Sequence, residues 1–169
     1  KCSNIKIHAG FYWDKKNCYY FFYNTFLNNT PIILYTIVDA DTFKIKKGYP
    51  KIVNNITFPG VLEKKHINCI LYNGNNSIYI IYIDTYIKFD LIKNNVYKEY
   101  PKKIINNFKY LHTMFLNNIT NSIYINKNKA LIFSNLKYIF YDINLIENNK
   151  NINPLYNNVI YNIKDQFKN

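Results

Sequence analysis

Short apolar runs separated by polar turns fill this chain, and they come in a recurring order. The first group reads IHAGFYWD from Ile7, YYFFYN from Tyr19 and LYTIVD from Leu34 to Asp39. The second reads INCILYNG from Ile67, IYIIYI from Ile78 and TYIKFD from Thr85 to Asp90. The third reads TNSIYINK from Thr120, ALIFSN from Ala130 and KYIFYD from Lys137 to Asp142. Runs this short, rich in β-branched and aromatic residues and bounded by turn formers, predict strands. The turns fall at Asp14-Lys15-Lys16-Asn17, Asn73-Gly74-Asn75-Asn76 and Asn126-Lys127-Asn128-Lys129. Tyr86 to Phe89 divides its side chains between two faces, as a half-buried antiparallel strand does. In the first group Asn24 to Pro31 is extra and reads as an inserted hairpin loop.

The repetition extends past the strands. YPKIV from Tyr49 is echoed by YPKKI from Tyr100, 51 positions on, and the strand-end Asp39 and Asp90 keep the same spacing. Asn153-Pro154 stands in for the Tyr-Pro pair in the third group. Units of this size holding three or four strands predict blades of a β-propeller, each needing its neighbours to cover its faces. The blades fall at about 5–60, 61–110 and 111–169, in one domain. The segments after each Tyr-Pro or its stand-in (51–58, 102–111 and 155–161) are expected to form short helical crossovers. An acid at the same place in every unit predicts a turn cap, because a reaction centre needs asymmetric roles.

Composition trims the list of functions. The chain has 169 residues with 22 basic and 10 acidic side chains, a net charge of +12. Every basic residue is Lys. Bidentate recognition of bases and phosphates uses the Arg fork, so no specific nucleic-acid partner is expected. Lys, Asn, Ile, Tyr and Phe are AT-rich-codon residues, and their abundance points to an AT-biased genome such as a malaria parasite's. The densest apolar stretch, Ser77 to Ile83, is far shorter than the roughly 20 residues of a membrane span. The chain opens on Lys1, as a processed piece would.

The candidate chemistry is sparse. With three cysteines at least one is unpaired within the chain. Cys69 reads as a buried thiol, and Cys2–Cys18 is one possible bridge. No Cys-x-x-Cys spacing suggests zinc, and whether any metal is held is open. His8 reads as a strand-start residue, His66 and His112 as loop residues. No nucleophile elbow, phosphate loop or zinc-protease helix occurs, so no catalytic residue is assigned and a non-enzyme is expected. Glycosylation triplets begin at Asn28, Asn55, Asn75 and Asn118, all expected in surface loops.

GYPKIVNNITFPGV (Gly48 to Val61), the second group and EYPKKI (Glu99 to Ile104) together resemble a hemopexin-type repeat. The departures are His8, Asn68 and Asn121 where the family's opening strand carries Asp, and a third strand without its Trp and Arg. The resemblance implies an all-β, hemopexin-like β-propeller showing three blades of an expected four, the fourth absent or on another segment. It implies a bridge from Cys2 to a Cys closing the last blade, although none follows Cys69. It also implies a Ca²⁺, Na⁺ or Cl⁻ ion in a central channel, held by main-chain groups at His8, Asn68 and Asn121. Three scattered histidines argue against haem. The function implied is a non-catalytic protein-binding or scaffold module of a secreted or surface parasite protein. Its partner would be a protein, such as another fragment of the same precursor sealing the open propeller flank. The alternatives are a carrier of haem or a metal ion, and a binder of glycosaminoglycan, lipid or nucleic acid.

Overall fold

The computed structural model describes residues 7–61, 66–126, 129–147 and 159–166. The chain is all-β, built as three antiparallel sheets with a few short helical turns. The first sheet orders β1 (Ile7–Trp13), β2 (Cys18–Leu27), β3 (Thr30–Asp39) and β4 (Lys51–Ile52). The second orders β5 (Cys69–Tyr72), β6 (Ser77–Ile81), β7 (Thr85–Asp90) and β8 (Asn95–Val96), with β9 (Lys102–Lys103) also on β7. The third orders β10 (Asn121–Asn126), β11 (Lys129–Ser134), β12 (Lys137–Asp142) and β13 (Tyr161–Asn162).

The insertion at Asn24 to Pro31 is not a loop. It lengthens β2 and β3, with Asn24 opposite Ile33 and Leu27 opposite Thr30. Asn28 and Asn29 close the hairpin at φ of 49° and 63°. Asn tolerates that left-handed backbone, and two such residues match the twist of a tight hairpin. The β-branched and aromatic residues on either side then have no reason to leave the ladder.

The three crossovers differ from one another. The second contains a helix, α1 (Ile104–Asn107). In the first, β4 leads into a turn in which Asn54 Oδ1 accepts from the N–H groups of Ile56 and Thr57, both at 3.0 Å. Asparagine there substitutes for backbone partners and removes the need for a helix. Of the third, 155–158 lie outside the described residues; Tyr161 opens the extended β13, and a single turn, α2 (Ile163–Gln166), comes after it. Cys2, Asn153-Pro154 and the Lys127-Asn128 pair of the expected third turn lie outside the described residues.

The recurring aspartates are turn caps. Asp39 accepts from the N–H groups of Asp41 and Thr42, Asp90 from those of Ile92 and Lys93, and Asp142 from that of Asn144. The N–H bonds of Thr42 and Lys93 are the leading reasons that Asp39 and Asp90, respectively, stay below the ordinary carboxylate range.

Two apolar clusters hold the sheets together, and both include the second sheet. Its Ile70, Ile78, Ile80 and Phe89 pack towards the first sheet through Val53, Phe58 and Val61. Its Leu71, Tyr79, Ile81 and Tyr86 pack towards the third through Ile104, Phe108 and Phe115. The second sheet is thus buried on both faces, and β7 is not the half-buried strand its alternation suggested: Tyr86, Ile87 and Phe89 are all inside. The first strands of the sheets converge, β1 lying against β5 and β10, and β5 against β10.

Candidate functional site

The outer sheets each have one face that no other described sheet covers. On the first sheet, Phe11, Tyr20, Phe22 and Tyr35 point inward, while Tyr12, Tyr19 and Phe21 occupy the other side. Tyr19 stacks on exposed Phe43 with ring centres 6.4 Å apart. On the third sheet, Ala130, Ile132, Ile139 and Tyr141 point inward, and Ile123, Ile125, Phe133, Tyr138 and Phe140 lie on the opposite face. Tyr138, Phe140 and Tyr161 form an aromatic group there.

These two faces share a space. A cavity of about 600 Å³ is walled by Tyr12, Tyr19 and Phe21 on one side and by Asn121, Ile123 and Ile125 on the other, reaching Ile70 and Tyr72 of β5. Its charged lining residue is Asp14, whose carboxylate accepts from the Tyr72 hydroxyl at 2.6 Å, the main reason its pKa is lowered. An apolar cleft lined by tyrosines suits recognition of another protein surface. The sequence carried a signal for this face. In YYFFYN both alternating sets are aromatic, which marks a strand made to be covered on two sides.

His8, Asn68 and Asn121, proposed from sequence as one site, line a second cavity of about 730 Å³. His66, read from sequence as a plain loop residue, lines it too and meets His8 edge-on, ring centres 4.8 Å apart. Asn24 contacts His66 Nδ1 at 2.5 Å. His112 lies elsewhere: its Nδ1 accepts from the N–H of Met114 at the head of a 3-10 turn. Among the described residues no cluster of three or more His, Cys, Asp or Glu side chains is placed to hold a metal.

A third feature joins the second and third sheets. Glu147 Oε1 accepts from the hydroxyls of Tyr86 (2.8 Å) and Tyr100 and from Lys102 Nζ (3.1 Å), with Lys88 Nζ 4.0 Å from Oε2. Burial pushes the Glu147 carboxyl up, but the bonds from Tyr100, Tyr86 and Lys102 together outweigh it and hold the group below its usual range. Nothing in the repeat pattern marks Glu147, and sequence reasoning gave it no role.

Cys18 and Cys69 are free, buried thiols. Cys18 donates to the carbonyl of Lys16 at 2.9 Å, at the end of β2 that faces Trp13 rather than the start of β1. Cys69 is pushed up to about 12 by burial, which makes it inert. Asn28, Asn55, Asn75 and Asn118 all lie exposed outside the strands. Among the described residues no helix is long and apolar enough to cross a membrane.

No protein-family model matches the chain, and no curated protein matches it in sequence. Solved structures do match it in fold. A plant albumin from Cicer arietinum, described as showing hemagglutination, has a TM-score of 0.65 at 16% identity, over 95% of this chain and 94% of that one. A plant lectin with two metal binding sites, also from Cicer arietinum, has a TM-score of 0.59 at 16% identity, over 95% and 94%. The hemopexin fold protein CP4 from cow pea has a TM-score of 0.58 at 14% identity, over 94% of each chain. At such identities the likeness concerns the fold alone.

Proposed function

We propose that this chain is a non-catalytic protein-binding module with a hemopexin-like propeller architecture, belonging to a secreted or surface-exposed protein. Its partner seats in the cleft between the first and third sheets. The carrying observation is that the two uncovered apolar faces line one cavity. A sheet-like element placed there would be covered on both sides, as the second sheet is between the other two faces. The fold likeness to a plant albumin and a plant lectin supports the binding class, and the likeness to a hemopexin fold protein supports the architecture. Another fragment of the same precursor is the partner that fits the repeat pattern.

Crosslinking of the native protein through its lysines, read by mass spectrometry, tests this. Crosslinks to a second polypeptide are expected at Lys15, Lys16, Lys129 and Lys137, at the ends of strands in the outer sheets. They should disappear in Phe21→Asp and Ile123→Asp variants that still fold. Crosslinks concentrated instead at Lys93 and Lys98, by the second sheet, would place the partner elsewhere and overturn the reading. The hemagglutination shown by the Cicer arietinum albumin supports a second reading, glycan binding. Agglutination of erythrocytes that survives both substitutions would favour it over the cleft.

A further inference from the structure

Where the second sheet meets the segment after β12 lies a polar cavity of about 320 Å³. It shares no lining residue with the partner cleft or with the cavity at the strand starts. Tyr79 of β6, Lys88 of β7, and Asn144 and Glu147 after β12 supply polar groups to it. Both charged members depart from the repeat. Two positions before the strand-end aspartates the three units carry Ile37, Lys88 and Phe140. Lys88 thus places a charge where the other units place an apolar side chain, and Glu147 belongs to no repeated position.

These groups have bonding capacity that the fold leaves unused. Tyr79 is only 4% exposed, yet its hydroxyl has no hydrogen-bond partner among the described residues. A buried side chain normally satisfies its polar atom within the fold, so a hydroxyl left open to a cavity calls for a reason. Burial, and after it the Glu147 charge, pushes the Tyr79 hydroxyl up, so it keeps its proton and donates. Glu147 Oε1 accepts from Tyr86, Tyr100 and Lys102, whereas the nearest cation to Oε2 is Lys88 Nζ at 4.0 Å, too far for a hydrogen bond. Lys88 is held in place by two rings, with Nζ 5.5 Å from the centre of Tyr79 and 5.2 Å from that of Tyr97.

We propose that this cavity binds one sugar ring of a glycan, with Lys88 and Glu147 holding two adjacent hydroxyls and Tyr79 donating to a third oxygen. The proposal rests on the glycan reading above and gives that reading a place outside the cleft. An anionic ligand would meet Glu147 and a cationic one would meet Lys88, so the pair selects a neutral, polar ligand. Each sugar hydroxyl both donates and accepts. Adjacent hydroxyls therefore accept from Lys88 Nζ and donate to Glu147 Oε2, bridging two groups that do not bond each other directly. The amide of exposed Asn144 adds a donor and an acceptor, carried on the 3-10 turn (Ile143–Leu145) that Asp142 caps. The volume is at the small end for ligand pockets, which suits a single ring.

Saturation-transfer NMR of the full chain with glucose, galactose, mannose and N-acetylglucosamine tests the site, with urea unfolding measured beside it. At least one of the four sugars is expected to bind saturably. Tyr79→Phe should weaken that sugar roughly five- to tenfold and leave the unfolding midpoint unchanged or higher, because the hydroxyl it removes has no partner in the fold. Lys88→Met should weaken it at least as much. Lys98→Met removes the same charge from an exposed position outside the cavity and should change nothing. Sugar binding unchanged in Tyr79→Phe would overturn the site, and so would a lowered midpoint, which would give the hydroxyl a role in the fold instead. Failure of all four sugars to bind would also overturn it. Erythrocyte agglutination by the parent then decides separately whether the glycan reading stands.

Discussion

The two interfaces of the second sheet contain the same aromatic box, built twice from repeated residues. At the first, Tyr35 meets Tyr49 with ring centres 5.4 Å apart at 73° and Phe58 at 4.9 Å and 88°. At the second, Tyr86 meets Tyr100 at 5.6 Å and 71° and Phe108 at 5.0 Å and 81°. Lys51 pairs with Tyr35 across the ladder and Lys102 with Tyr86, and each lysine lies over the ring of the tyrosine two positions before it, Tyr49 and Tyr100. The difference is Glu147. In the first box the tyrosines interact with each other. In the second, both hydroxyls and the lysine converge on one carboxylate. The repeat therefore determines the apolar geometry of both boxes, and one residue outside the repeat turns the second into a charged latch.

If the boxes are equivalent in packing, truncating either phenylalanine should cost the same. Phe58→Ala and Phe108→Ala remove rings that are almost fully buried, and each is expected to destabilise by about 3–5 kcal/mol in urea unfolding. A gap between them larger than about 2 kcal/mol would break the equivalence, since cavity relaxation would then differ between the two boxes.

The hydroxyls should separate the boxes where the rings do not. Tyr100→Phe removes a bond to a carboxylate and is expected to cost about 1.5–3 kcal/mol. Tyr49→Phe removes no charged partner and should cost less than about 1 kcal/mol. Glu147→Leu leaves two hydroxyls and an ammonium group without their acceptor and should cost at least as much as Tyr100→Phe. Additive losses in Tyr100→Phe combined with Glu147→Leu would mean that the latch carries no coupling energy.

This contrast also marks what was legible in the sequence. Strand order, the aspartate caps and the Tyr-Pro-Lys echo were readable because local turn chemistry and a period of 51 fix them. Asn28-Asn29 was also readable in principle, but adjacent Asn residues in an Asn-rich chain look like loop filler, and the long β2–β3 hairpin was missed. The gathering of His8, Asn68 and Asn121 could be proposed because equivalent strand starts converge. His66 and Glu147 were invisible as site residues. Each acts through a tertiary contact with a residue far away in the chain, and neither belongs to a repeated position. Burial of β7 on both faces was likewise a property of its neighbours, not of its own alternation.

Acid should weaken the second box selectively. The Glu147 carboxyl titrates below its unfolded value, so its contribution is fully present above the ordinary carboxylate range. That contribution is lost as pH falls through the depressed folded value. The stability difference between the parent and Glu147→Gln should therefore shrink on acidification. Asp39 and Asp90 are lowered in the same direction, but both proteins share them and they cancel in the difference. A difference that stayed constant from neutral to strongly acid pH would show that the carboxylate charge does not hold the latch.

The smallest effect belongs to the lysines, and it distinguishes charge from contact. Lys51 Nζ lies 4.9 Å from the centre of Tyr49, and its side chain is exposed, so Lys51→Met should cost about 0.5 kcal/mol. Lys102 Nζ has the same relation to Tyr100 at 4.6 Å and also reaches Glu147 at 3.1 Å, with both side chains partly covered. Lys102→Met should cost about 1 kcal/mol, the upper end for a pair this accessible. Salt decides whether the excess comes from the ion pair. Ring contacts at this range change little with ionic strength, whereas a partly exposed pair is screened. Raising salt should bring the cost of Lys102→Met down towards that of Lys51→Met. If the two costs keep their gap at high salt, the extra stabilisation comes from the packing of the Lys102 stem and not from Glu147.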